Sequence, residues 1–450
     1  MLMRGFFLAL ALAGFSFAAH GAAEDEVVVT SPHWQGIKDE TALAFSAWHE
    51  KKYGWPATVR WRDIGGGGSQ IVRFLRSEYK ASPSAGVDVF YGGGVDPYTE
   101  LKQSGLLTRY DPPTDILSQI PPTLNGMPLM DPDHEWFGTC LSAFGIITNE
   151  RAREAAGLPE ALTWSALTDP RLVGWISASD PRASSSALAI YEIILQAYGW
   201  DTGWAALMEM SGNVRHFLSS SAASAVEVGV GDAAYGVAVD VYGQAQAGFY
   251  GPKNVSFVVP VGETVITPDC IAILKNPPQL EMAQHFVEFA LSREGQSLWM
   301  LPKGAPGGAK RYVINRMCVW PSLYDELKET TPITASPFNQ ANTTLVYDSK
   351  LASKRRAILS VLLAASMIDT HDELVRAWKA LQSPAAQKLS AERRAALLAE
   401  FVAPPCSQDE LLQLVASDWG DPIRRTALIN RWQNEALERY KSVLAQIPSS

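Results

Sequence analysis

Two stretches of the chain combine free backbone donors with small side chains in the way an anion site requires. Asp63 to Leu75 reads D-I-G-G-G-G-S-Q-I-V-R-F-L, so four consecutive glycines, Gly65 to Gly68, run into Ser69 before Ile71, Val72, Phe74 and Leu75 begin a helical spacing. Glycine lets a ligand approach the backbone closely. The unpaired N–H groups of the helix's first turn, with Ser69 as the expected N-cap, can hold an anion, which makes Gly67, Gly68 and Ser69 candidate contacts. Ser179 to Ala187, S-D-P-R-A-S-S-S-A, repeats the device between a strand and an apolar helix. There Ser184, Ser185 and Ser186 offer hydroxyl donors, and Arg182 offers a bidentate guanidinium. Alone, each stretch also reads as a flexible turn or a plain helix cap. Two of them, one in each of two expected domains, point to one ligand shared between those domains.

Other candidates sit at the ends of expected strands. His33 and Trp34 follow the first strand, and Gly92 to Gly94 follow another, with Tyr91 and Asp96 beside them and Gly93 and Gly94 as close-approach positions. Asp240 and Tyr242 end a strand in the second half, one an acceptor and the other a donor. Each also has an ordinary reading, as a packing aromatic, a structural histidine or a loop acid. Catalytic signatures are lacking: there is no G-x-S-x-G and no H-E-x-x-H, and the glycine loop lacks the lysine of a Walker motif.

The elements that position these residues alternate. Strands are expected at Glu26–Thr30, Thr58–Trp61 and Gly86–Tyr91, with helices at Asp39–Lys51, from the glycine loop to Tyr79, and at Asp96–Ser104. Alternation of this kind implies an α/β fold with a mainly parallel sheet, whose ligands bind at the carboxyl ends of the strands. Trp136–Thr148 reads as an extended strand passing to a second domain. That domain holds strands at Gly174–Ala178, near Val214 and at Tyr235–Asp240, and helices at Ser185–Tyr198 and Ser219–Gly229. Val255–Val259 and Val265–Leu274 carry the chain back. After Pro302 the pattern becomes helical, with segments at Lys354–Met367, Asp372–Leu381, Ala391–Val402, Gln408–Ala416 and Pro422–Ile447. These form either an added layer on one lobe or a separate module.

Composition bounds the function. A net charge of −9 argues against nucleic acid as a partner, and an apolar fraction of 47% with 19% charged residues over 450 positions is that of a folded chain of several cores. Arg4, the apolar run Phe6 to Ala19 and the small residues Ala18 to Ala23 read as a cleaved secretory leader over 1–23, with the mature chain beginning near Ala22–Glu24. No later apolar stretch is long enough to span a membrane. Cys140, Cys270, Cys318 and Cys406 allow three disulfide pairings in an oxidising compartment, and buried free thiols fit equally well.

Five stretches together resemble one family. They are Ser31–His33, Ile64–Ser69 (I-G-G-G-G-S), Phe90–Tyr98 (F-Y-G-G-G-V-D-P-Y), Ser179–Ser186 and Asp240–Gln246 (D-V-Y-G-Q-A-Q), and Ile266–Lys275 adds a return strand. In order and spacing, over residues 26 to 315, they are similar to type II periplasmic solute-binding proteins of ABC importers. The nearest branch is that of ferric-iron, phosphoglycerate, phosphonate and sugar-phosphate binders. The resemblance implies a two-lobe periplasmic-binding-protein-like II fold with crossovers near 135–140 and 260–268. It divides the chain into lobe 1 (24–137 and 263–320), lobe 2 (138–262) and a helical extension (321–450). It further implies a monomeric periplasmic protein, without a cofactor, that delivers a small anionic solute to an inner-membrane permease. Ferric binders of this branch use two adjacent tyrosines where this chain has Asp240 and Tyr242, which favours an organic anion. Ferric iron as cargo, held by Tyr242, Tyr91, His33 and Asp240, is the alternative. An exported hydrolase and a ligand-sensing subunit are the others.

Overall fold

The structure, a computed structural model, describes residues 25–333, 336–339 and 345–448, so the expected leader lies outside the described residues. Runs of β-branched and aromatic residues make the strands, and one of them organises the rest. Phe137–Asn149 is buried along all 13 residues, because it runs through the middle of two sheets in turn. From Phe137 to Ala143 it pairs antiparallel with Ile266–Leu274, and from Phe144 onward it pairs with Tyr235–Val239 and Val255–Val258.

The first sheet continues outward from Ile266–Leu274 through Val89–Tyr91, Glu26–Thr30 and Thr58–Trp61, the last three mutually parallel. The second continues from Tyr235–Val239 through Ile176–Ser179 to Val214–Leu218, again parallel. Both are therefore mixed sheets, with apolar helices on each face. This is the expected two-lobe α/β architecture. The lobes meet where the long strand changes sheets, at Ala143–Phe144, and where the chain returns between Val258 and Ile266.

Helix Trp200–Asn213 is not among the expected elements, and two glycines, Gly203 and Gly212, lie within it. They are contact positions. A Cβ on Gly203 would lie 2.8 Å from Leu195 Cα, so only glycine lets this helix sit so close to helix Ser185–Tyr198.

The C-terminal helices form an added layer on the second lobe. Ile358, Leu362, Trp378 and Trp432 share one core with Ile190, Leu207 and Trp204. Polar contacts seal the join: Arg355, 1% exposed, donates to both carboxylate oxygens of Glu192 at 2.9 and 2.8 Å, and Trp378 Nε1 donates to Asn213 at 2.7 Å. The segment before that layer packs on the first lobe instead, through Ile314, Val319, Trp320 and Leu323. All four cysteines are free thiols, three of them buried.

Candidate functional site

Helix N-termini from both lobes converge on one cleft. In the first lobe, helix Gly68–Ala81 starts from Gly67 and helix Val95–Gln103 from Gly94, and neither cap residue has a side chain to occupy the free N–H groups. In the second lobe, helix Ser185–Tyr198 is capped by Ser184, and helix Ser221–Val230 by Ser220. The Ser184 hydroxyl accepts from Ala187 N at 3.2 Å and lies 3.2 Å from the Ser221 hydroxyl. Backbone donors, with their partial positive charge, thus face one another across the gap. The lobes stand close together there: a Cβ on Gly67 would come within 3.9 Å of the Ala183 carbonyl oxygen, and one on Gly68 within 3.8 Å of Ser185 Oγ.

The cleft encloses a cavity of about 710 Å³. Of the residues expected from the sequence, His33, Gly67, Gly68, Gly93, Gly94, Asp96, Ser184, Ser185, Ser186 and Tyr242 line it; Trp34, Ser69, Arg182, Asp240 and Tyr91 do not. The reasons are local. Gly65 and Gly66 take positive φ values of 73° and 75°, which only glycine adopts readily, and the loop then turns into the helix sooner than expected. The Gly67 carbonyl accepts from Gln70 N and Ile71 N at 2.9 and 3.2 Å, so Gly67 is the N-cap and Ser69 lies inside the helix. Arg182 is held by Asp180 at 2.7 Å and by Asp369 of the helical layer at 2.9 Å. Trp34 packs edge-on against Tyr312 on the first lobe, and Tyr91 belongs to that lobe's core.

Beneath the cleft lies a buried ionic cluster for which no local pattern exists in the sequence. Asp269, on the return strand, sits 2.8 Å from Arg316 and 3.3 Å from His33 Nε2. Burial alone would push the Asp269 carboxyl up, but Arg316 and His33 outweigh it and hold it well below the ordinary carboxylate range. Burial lowers His33 below 6.5 against the pull of Asp269. Arg316, 2% exposed, also donates to the Ser142 hydroxyl.

Asp240 lies deeper. Its carboxylate accepts from Ala143 N at 3.0 Å and Val241 N at 2.7 Å, tying the second lobe to the strand that joins the sheets. Burial raises its carboxyl to about 6, against the opposing pull of Arg316 and those two N–H groups. A carboxyl raised in the folded state contributes stability that is fully present below its unfolded value and lost as pH rises through the folded one. Between pH 4 and pH 7 the wild type is therefore expected to lose roughly 2–3 kcal/mol relative to Asp240→Asn, measured by urea unfolding at each pH. Parallel pH profiles for the two proteins would contradict the buried carboxyl.

The sequence does carry a sign of the second serine site. The triplet at Ser184–Ser186 recurs at Ser219–Ser221, of which Ser220 and Ser221 line the cavity. The contributions of Tyr347, Lys350 and Lys354 come from the helical layer and were not foreseen.

Residues 84–329 match the family described as bacterial extracellular solute-binding protein. The chain belongs to that family. The match ends before the helical layer begins. Over 158 residues the chain is 29% identical to the phosphoglycerate transport regulatory protein PgtC of Salmonella typhimurium; this covers 35% of the chain and 39% of that relative's length. Two solved structures share the fold. The periplasmic binding protein AfuA of Actinobacillus pleuropneumoniae, with exogenous fructose-6-phosphate bound, aligns with a TM-score of 0.59 at 22% identity, over 78% of this chain and 97% of that one. The apo ferric ion-binding protein A of Pasteurella haemolytica aligns with a TM-score of 0.56 at 16% identity, over 78% and 98%. No helix among the described residues of this solute-binding protein is long and apolar enough to cross a membrane.

Proposed function

We propose that the protein is the periplasmic substrate-binding component of an ABC importer, acting as a monomer that captures a small organic anion between its lobes and presents it to a membrane permease. The observation that carries this reading is the set of uncapped and serine-capped helix N-termini facing one cavity from both lobes. A ligand that touches both sides only when they are together stabilises the closed form by that differential contact. No bond of the ligand is broken. The Ser184 hydroxyl is committed to Ala187 N and Ser221 rather than poised beside a base.

An organic anion fits better than ferric iron. Of the four expected iron ligands only His33 and Tyr242 face the cavity, and Asp240 spends both carboxylate oxygens on backbone N–H groups. The volume, within the usual range for sites that enclose an organic molecule, is large for a bare ion. Phe144, Trp136 and Val239 supply apolar wall for a carbon skeleton.

The test is a thermal-shift panel of sugar phosphates (fructose-6-phosphate among them), phosphoglycerates, phosphonates, dicarboxylates and ferric citrate. Bound ligand raises the midpoint by mass action. The expected result is a clear rise with an organic anion. A rise with ferric citrate alone, together with a visible tyrosinate–iron band that Tyr242→Phe abolishes, would overturn the proposal.

A further inference from the structure

The cleft has a third wall, and the charges around it do not cancel. Each carboxylate on the cavity lining has a cation: Asp96 pairs with Arg356, Asp131 with Lys102 at 2.7 Å (a lysine that Asp133 and Glu135, outside the lining, also share), and Asp269 with Arg316 at 2.8 Å. Two cations are left over. Lys350 and Lys354 line the cavity and have no ion-pair or hydrogen-bond partner among the described residues. They stand four residues apart in helix Ser349–Leu363, so they share one face and repel each other there. Ser349 and Ser353 lie beside them on the cavity wall, again four apart. The face turned to the cavity is thus wholly polar and carries two uncompensated positive charges.

The helix that bears them is held from both sides. Next to Lys354, Arg355 is buried on Glu192 of the second lobe, while Ile358 and Leu359 enter that lobe's core. Arg356 then reaches across to Asp96 of the first lobe. This fixes the helix that carries the lysine pair on the wall of the cavity that the glycine and serine cradle also lines, and the cradle's own donors are backbone N–H groups and hydroxyls rather than charges.

We propose that Lys350 and Lys354 bind a second anionic group of the ligand, so that the cargo carries negative charge at two ends, as a phosphate with a carboxylate or as two phosphates. This rests on the anion reading of the cleft and assigns the helical layer a ligand-binding role. Either anionic group would relieve the repulsion between the lysines through charge-assisted hydrogen bonds.

The experiment is calorimetric titration of the wild type and the Lys350→Gln/Lys354→Gln protein. Glucose 6-phosphate and fructose-6-phosphate serve as one-anion probes, and 3-phosphoglycerate and fructose 1,6-bisphosphate as two-anion probes. Both lysines are exposed, so the fold survives the change. The wild type is expected to prefer a two-anion probe, and that preference to shrink roughly 10- to 100-fold in the variant. A preference equal in both proteins, or a wild type that favours one-anion probes, would overturn the lysine assignment and leave the anion reading standing. A wild type that binds neither class would overturn both.

Discussion

Converting Ser185 and Ser186 together to valine is expected to weaken anion binding by at least about 100-fold, because a hydrogen bond to a charged group contributes roughly 1.5–3 kcal/mol and two are removed. The melting midpoint should barely move. These two serines occupy the first turn of helix Ser185–Tyr198 and line the cavity, while the cap itself is Ser184. Valine costs only a few tenths of a kcal/mol in helix propensity at such positions. Substituting Ser184 gives a different outcome. Its hydroxyl caps Ala187 N and meets Ser221, so Ser184→Val should cost about 1 kcal/mol of stability as well as affinity. Calorimetric titration alongside thermal melts separates the two effects. Unchanged affinity in the double variant would remove the serine cradle from the site.

Arg316→Met is expected to destabilise the protein by about 3–5 kcal/mol, since it leaves buried carboxylate charge uncompensated. Arg316 is fully enclosed against Asp269, Ser142 and the face of Trp299. In the wild type the depressed Asp269 carboxyl contributes stability above its unfolded value, lost as pH falls through the lower folded one. In the variant that contribution disappears at neutral pH, and the remaining neighbour, His33, has its own charged form disfavoured by burial. The freed Asp269 charge would also face the cavity and repel an anion. Adding Asp269→Asn to Arg316→Met should restore part of the stability, since the unpaired charge is then gone. Urea unfolding of the three proteins decides the matter; a single variant as stable as the wild type would show that the cluster is not a neutralising pair.

The architecture was legible wherever the pattern is local. Alternating apolar runs and glycine or serine turns mark most strands, and helices Ser185–Tyr198 and Ala391–Val402 match their expected spans. The two helix starts that face the cavity were legible for the same reason, since helix starts advertise themselves in glycine and serine. What remained hidden depends on packing between distant segments. The role of Gly203 is visible only once helix Ser185–Tyr198 is placed against it. Arg316 and Asp269 are 47 residues apart and share no motif, so their pairing exists only once the sheets are built. The lysines of the helical layer reach the cavity only because that layer docks on the second lobe through Arg355 and Trp378. Arg182, by contrast, was visible but misleading. Asp369, from the same layer, helps to hold it away from the cleft.

The central claim is that one small anion is held between both lobes at once. Small-angle scattering, before and after saturation with the panel compound that raises the midpoint most, tests it directly. The expected result is a smaller radius of gyration in the bound state, with one ligand per chain. Saturable binding of that compound with no change in the radius would contradict closure and move the ligand to a single lobe.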